Sequence, residues 1–192
     1  TMKSMLEDIL RDLGETLNLA ATFRFPDFVR ETEYVALKND GEYAVISGRV
    51  ASTDGVLKDK HEYKEITNEY LVKHSTAKHA RLSRDSYMVG ALARFNVNYE
   101  NLHPMAKQAA EFLGLSPVCR NPYLNTAAQL VECFHFACDG IELINKLMET
   151  GIDRSEAVLV GLNENDVIKV KAGKGVGAVE VPDRKTSCRE RG

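Results

Sequence analysis

The spacing of apolar residues changes along the chain, and each change predicts a different kind of element. Near the start, apolar residues recur about every 3.6 positions and predict an amphipathic helix over residues 5–21. Over residues 34–57 the period falls to two, in runs at 34–37, 43–47 and 55–57. The turn sequences Asn-Asp-Gly at 39–41 and Thr-Asp-Gly at 53–55 separate these runs. The pattern therefore predicts a small antiparallel β-meander.

Helical spacing returns after the meander and dominates the rest of the chain. A helix is expected over residues 63–72, and a new element is expected from Tyr87. Pro104 suits the first position of a helix that stops at Gly114. Apolar steps of three and four predict a long core helix from Thr126 to Thr150. With short strands near 157–160, 167–171 and 176–181, the predicted fold class is α+β: a small antiparallel meander packed with several helices.

Composition narrows the class of protein. The chain has 192 residues, 44% of them hydrophobic and 28% charged, with a net charge of −3. This balance gives no argument for binding nucleic acid or an anionic membrane. No apolar run is long enough to span a bilayer, and the first helix lacks the apolar stretch of a signal peptide. The expectation is a soluble, cytoplasmic protein with neither nucleic acid nor membrane as a partner.

Four cysteines occur, at positions 119, 133, 138 and 188. No two of them have the C-x-x-C spacing that holds zinc or an iron–sulfur cluster. Because free cysteine is among the most buried residue types, Cys119, Cys133 and Cys138 are interpreted as buried, reduced thiols.

Two Glu-x-x-His spacings are the other candidates for metal binding. Glu100 and His103 fail, because a proline directly follows His103 and both residues precede the helix. Glu132 and His135 lie on one face of the long helix with Asp139. Alone they offer too few ligands for a di-iron site, so the favoured interpretation is a hydrogen-bonded or surface polar pair.

Three segments carry a resemblance to a known family. The first is a His-Ser-x-x-Lys run, formed by His74, Ser75 and Lys78. The second is a Tyr-x-Val-Gly-x-Leu-Ala-Arg run, formed by Tyr87, Val89, Gly90, Leu92, Ala93 and Arg94. The third is a glycine-rich stretch that leads into a Glu-x-Pro segment, formed by Gly173, Gly175, Gly177, Glu180 and Pro182. In this order, the segments resemble the central part of the large (alpha) subunit of nickel–iron hydrogenases of the soluble, cofactor-coupled kind.

The resemblance implies reversible hydrogen oxidation coupled to a soluble electron carrier, with an iron–sulfur small subunit as partner. In the family, two C-x-x-C motifs supply the thiolates of the nickel–iron centre, and this chain has neither. The resemblance therefore assigns no catalytic residue, metal ligand or cofactor here. It places Glu180 and Pro182 near the family's active site, but the arginine expected next is replaced by Asp183.

These departures predict a catalytically incomplete chain. Residues 1–182 are interpreted as the central fragment of a hydrogenase large subunit, and residues 183–192 as an irregular tail unlike the family. Two alternatives stay open: a fragment of the related quinone-reducing subunit of respiratory complex I, and a non-catalytic interaction module. The polar, basic stretch 74–86 is expected to be a solvated loop or a contact surface for a partner chain. Exposed apolar surface is expected to drive self-association.

Overall fold

The computed structural model describes residues 1–66, 68–151, 172–173 and 175–177. Within them lie the helices α1 (Met2–Ala20), α2 (Tyr63–Ile66), α3 (Ala91–Asn98), α4 (Pro104–Phe112) and α5 (Asn125–Thr150). The strands are β1 (Glu33–Lys38), β2 (Arg49–Ser52), β3 (Leu57–Lys58), β4 (Asn68–Tyr70), β5 (His79–Arg81) and β6 (Tyr87–Met88). Single 3-10 turns occupy Lys60–Glu62, Tyr99–Asn101 and Pro122–Leu124. The combination of helices with a small sheet confirms the predicted α+β class.

The main sheet has the strand order β3-β2-β1-β6. Its first three strands are antiparallel, as predicted, but β6 pairs in parallel with β1, which makes the sheet mixed. Strand β1 lies between two neighbours and is almost entirely buried. Consecutive residues of β1 are buried, so both faces of this strand are covered, which the predicted period-two alternation did not indicate.

The strand predicted at residues 43–47 is wrong. The Asn-Asp-Gly turn does form and closes with an isolated bridge between Asn39 and Glu42. Beyond it the chain leaves the sheet, because the Tyr43 side chain enters the core and its hydroxyl donates to Glu132 at 2.7 Å. The strand that pairs with β1 starts only after Gly48, where a Cβ atom would lie 2.8 Å from the Lys38 carbonyl oxygen. Only glycine fits that close approach.

The helix predicted over residues 63–72 ends early, at Ile66. None of its four residues is buried, and a helix this short gains little unless its side chains pack. Residues 68–70 instead form strand β4, which pairs with β5 in a separate two-stranded hairpin. We call residues 68–81 the basic hairpin. The stretch 74–86, for which a solvated loop or a contact surface was predicted, therefore contains strand β5.

Helices α3, α4 and α5 surround the core. Its fully buried centre includes Leu92, Phe95 and Val131. The predicted bounds of α1, α4 and α5 agree with the structure to within a few residues. Helix α1 packs along α5, where a Cβ atom on Gly140 would lie 3.2 Å from the Leu6 side chain. The buried residues of α5 all lie in its first half, between Ala127 and Cys138.

Several large apolar side chains of α1 and α5 remain exposed. They include Met2, Met5, Ile9 and Leu19 of α1, and Leu143, Leu147 and Met148 of α5. We call these residues the α1–α5 face; exposed apolar patches, where contiguous, mark interfaces. Self-association through this face stays a prediction. In the described part of the chain, no helix combines the length and the apolar character needed to cross a membrane.

Candidate functional site

Arg94 and Glu132 form a bidentate ion pair inside the core. The Arg94 Nε atom donates to Glu132 Oε1 at 2.6 Å, and its Nη2 atom donates to Oε2 at 2.8 Å. The two side chains are only 4% and 9% exposed. Arginine suits this arrangement because its planar fork matches a carboxylate and it stays protonated when buried. The pair joins the middle of α3 to the first half of α5.

Tyr43 and His135 extend this ion pair into a polar network. Both Tyr43 and Arg94 donate to the same Glu132 oxygen. The Tyr43 ring packs against the His135 ring with centroids 4.8 Å apart. Glu132 and His135 are both buried and hydrogen-bonded, but Glu132 bonds to Arg94 and His135 bonds to the His103 backbone, so the two do not form a pair with each other. Sequence reasoning did not identify Arg94 as the partner of Glu132.

His135 is held as the neutral imidazole. Its Nδ1 atom accepts the backbone N–H of His103 at 3.1 Å, so the ring hydrogen is on Nε2. Burial lowers the pKa of His135 from its ordinary value, and the nearby Asp139 carboxylate opposes part of that shift. His103 itself caps α4 through Nδ1 and contacts Glu142 through Nε2 at 3.1 Å. The prediction that Glu100 and His103 precede helix α4 is confirmed.

Local backbone geometry sets the position of Arg94. Helix α3 begins after Gly90, whose φ of 100° is open to glycine and strained for other residues. Gly90 has no side chain to cap the helix, and the Asn125 side chain takes this role by accepting the Leu92 N–H at 3.1 Å. The first residue of α5 therefore caps α3. At the other end, Asn98 Nδ2 donates to the Leu37 carbonyl of β1 at 2.8 Å.

The residues that carry the family resemblance separate into two environments. Leu92, Ala93 and Arg94 are buried, and Gly90 directly precedes their helix. His74, Ser75 and Lys78 lie instead on the basic hairpin near its exposed tip. There Lys78 pairs with Glu69 at 2.9 Å, and the Ser75 hydroxyl accepts the Ala77 N–H. The His74 ring lies edge-to-face against the His79 ring, with centroids 5.7 Å apart.

A buried carboxylate ties the end of this hairpin to the sheet. Glu33 of β1 is fully buried, and its Oε2 atom accepts hydrogen bonds from the Ser83 N–H, the Ser83 hydroxyl and the Arg84 N–H at 2.7–3.3 Å. Arg84 then pairs outward with Glu31 and Asp54. Sequence reasoning missed Glu33, because nothing in an alternating strand pattern distinguishes a buried acid at its first position.

The described residues do not fit a nickel–iron centre, which needs several thiolates converging on one point. Among them, no group of three or more histidine, cysteine or acidic side chains could hold a metal ion. Cys138 is buried, Cys119 is half-buried, and Cys133 is exposed on the opposite side of α5. The prediction that Cys133 is buried is therefore wrong: five residues along a helix turn its side chain away from Cys138. Burial also raises the pKa of the Cys138 thiol, which disfavours the thiolate.

The remaining sequence-derived site residues lie beyond the part of the chain that the structure describes. Glu180 and Pro182 fall outside it, as do Cys188, the tail 183–192 and the strands predicted at 157–160 and 167–171. Gly173, Gly175 and Gly177 are described and not buried.

Comparison with known proteins supports the resemblance to a hydrogenase large subunit, but not the assignment to the soluble kind. No protein-family model matches the chain. The alpha subunit of sulfhydrogenase 1 from Pyrococcus furiosus is 27% identical over 190 residues. This chain is similar to part of a hydrogenase alpha subunit. The similarity covers 94% of this chain but only 42% of the Pyrococcus subunit, so the activity and partners of a whole hydrogenase are proposals for this chain.

Breaking the buried ion pair tests whether it holds the core together. We expect Arg94→Met to lower the free energy of unfolding by about 3–5 kcal/mol, because Glu132 then stays buried without its counter-charge. The variant Arg94→Met/Glu132→Met/Tyr43→Phe removes both charges together with the hydroxyl that donates to Glu132, and we expect it to recover most of that loss. Urea unfolding measures both values.

Arg11→Met is the matched control, since Arg11 forms an exposed ion pair with Asp8 on α1. It should change the free energy of unfolding by less than about 1 kcal/mol. Equal losses in Arg94→Met and Arg11→Met would contradict the structural role of the buried pair.

The neutral state of His135 predicts a pH dependence of stability. The pKa of His135 in the folded chain lies below the ordinary value of 6.5. Between these two pKa values, the unfolded chain binds a proton on His135 and the folded chain does not. Stability should therefore fall as the pH drops from about 6.5 towards the lower, folded pKa. His135→Gln keeps an acceptor for the His103 N–H and should flatten this slope, as measured by urea unfolding between pH 7.5 and 5.5. The control variant is His61→Gln, which replaces an exposed histidine. An unchanged pH dependence of stability in His135→Gln would contradict the assignment of this dependence to His135.

Proposed function

We propose that this chain forms a structural core of a hydrogenase alpha-subunit-like protein and acts within a hydrogen-oxidising assembly. The observation that supports this most is the position of the Gly90–Arg94 segment. Gly90, Leu92, Ala93 and Arg94, which form part of one of the three segments that carry the family resemblance, begin α3, enter the core and pair with α5. Their match to the family therefore has a structural reason, and the similarity to the Pyrococcus subunit runs along most of the chain.

The role proposed for the described residues is to support a site rather than to ligate metal. Arg94 and Glu132 satisfy each other and present no free charge to a substrate. The described cysteines do not converge. The chain is thus proposed to be inactive by itself, and no step of hydrogen chemistry is assigned to its residues.

The proposed partner is an iron–sulfur subunit of hydrogenase type, and the proposed contact surface is the basic hairpin. Leu71, which directly follows strand β4, is 77% exposed. The hairpin is tied to the sheet through Glu33 and so presents this residue on an anchored support. Leu71 shares the segment between β4 and β5 with Lys73, His74 and Lys78, and an apolar residue accompanied by polar and charged ones suits a contact surface with an apolar centre and a polar rim.

Metal content and activity test the inactive scaffold. We expect the purified chain to contain nickel and iron well below one atom per chain, because nickel–iron chemistry needs converging thiolates. We also expect no hydrogen uptake with dye acceptors. Elemental mass spectrometry and a dye-reduction assay measure both. Stoichiometric nickel that disappears in Cys133→Ser or Cys138→Ser would contradict the proposal.

Binding to a partner tests the proposed family role. Co-expressed with the iron–sulfur subunit of a soluble hydrogenase, the chain should co-elute with it in size-exclusion chromatography. Leu71→Asp should weaken this complex by about tenfold or more, as expected for a central apolar contact. Leu143→Asp, which alters an exposed apolar residue of α5 away from the hairpin, is the control. Failure of the unmodified chain to bind would argue against the hydrogenase role.

A further inference from the structure

A pocket of about 280 Å³ lies between residues 41–46 and the middle of α5. It is lined by the aromatic residues Tyr43, His135 and Phe136 and by the exposed Glu42, Ile46 and Asp139, which we call its rim. It adjoins the buried polar network, since the Tyr43 hydroxyl donates to Glu132. The role proposed above makes no use of this pocket.

The three rings form a concave aromatic corner. Tyr43 and His135 are inclined by 52°, His135 and Phe136 by 59°, and Tyr43 and Phe136 by 79°. Centroid separations of 4.8–6.0 Å place all three in mutual contact. Tyr43 and His135 are buried, whereas Phe136 is 40% exposed, so the Phe136 ring is the part of this corner that is open to a ligand. Aromatic faces carry a negative electrostatic potential and attract cations, and the neutral state of His135 adds no opposing charge.

The rim adds two carboxylates and an apolar wall. Glu42 and Asp139 are both exposed at the mouth. Among the residues that the structure describes, no lysine or arginine lines this pocket. Ile46 is 79% exposed beside the half-buried Val45, which leaves an apolar surface leading away from the aromatic corner. The pocket thus offers negative charge and aromatic faces to a cation, and aliphatic contact to whatever carries it.

We propose that this pocket binds one guanidinium or ammonium group carried on an aliphatic stem. The cation lies against the exposed Phe136 ring, close to the carboxylates of Glu42 and Asp139 that line the same pocket, and the stem lies against Ile46. Two sources have this chemistry: a free alkylamine or alkylguanidine, and an arginine or lysine side chain of a partner polypeptide. A neutral group of the same shape gains neither the cation–π attraction nor the charge pairing.

Titration followed by NMR tests this proposal on the full chain. The probes are n-butylguanidinium and its neutral isostere n-butylurea, together with N-acetyl-arginine-N-methylamide and the matching citrulline derivative. We expect the cations to shift the resonances of Ile46 and Phe136 and to bind at least about tenfold more tightly than the neutral analogues. Tighter binding of the arginine derivative than of n-butylguanidinium would identify a partner side chain as the source, and the reverse order would identify a free cation.

Charge-neutralising variants identify the pocket. Glu42→Gln and Asp139→Asn should each weaken n-butylguanidinium binding by about fivefold, the effect of removing one close charge at the surface. Both side chains are exposed, so neither change should unfold the chain. Asp40→Asn removes a nearby acid that does not line this pocket and should leave binding unchanged. Equal binding of n-butylguanidinium and n-butylurea, no shift at Ile46 and Phe136, or unchanged affinity in both rim variants would overturn the proposal.

Discussion

Arg94 and Glu132 are both charged and both nearly excluded from water, so each can remain in the core only while the other faces it. Two buried ions lose hydration worth several kcal/mol each, and a well-aligned, hydrogen-bonded pair offsets that loss. Alignment requires α3 and α5 to keep one relative position. The Asn125 cap on α3 and the Tyr43 hydroxyl on Glu132 fix that position from two further directions. The packing of the surrounding apolar residues follows from it.

This constraint gives a structural reason for each residue of the Gly90–Arg94 segment that it involves. Gly90 permits the backbone conformation that starts α3, Leu92 and Ala93 bury its first turn, and Arg94 pairs with α5. None of these residues requires a metal or a substrate to account for its identity. The second group, around His74 and Lys78, lies on an exposed hairpin, where packing does not account for it. A contact with another molecule is the explanation that this position favours.

Sequence reasoning succeeded where local signals agreed with the final packing. Helix α4 begins at a proline, α5 has sustained apolar spacing, and a glycine follows the end of each. Both helices were predicted nearly to the residue. It failed where distant contacts decide. The run at 43–47 alternates like a strand, yet Tyr43 is drawn into the core by Glu132, 89 positions away. The parallel pairing of β6 with β1, the burial of Glu33 and the Arg94–Glu132 partnership likewise join segments that no local pattern connects.

Hydrogen–deuterium exchange of the full chain tests most directly whether the Arg94–Glu132 contact organises the fold. Buried elements that open only with global unfolding exchange slowest. Amides of α3 and of the first half of α5 should therefore exchange slowest and at one common rate, while those of the basic hairpin exchange sooner. Exchange of α3 as fast as that of the hairpin, or well before the first half of α5, would contradict the account.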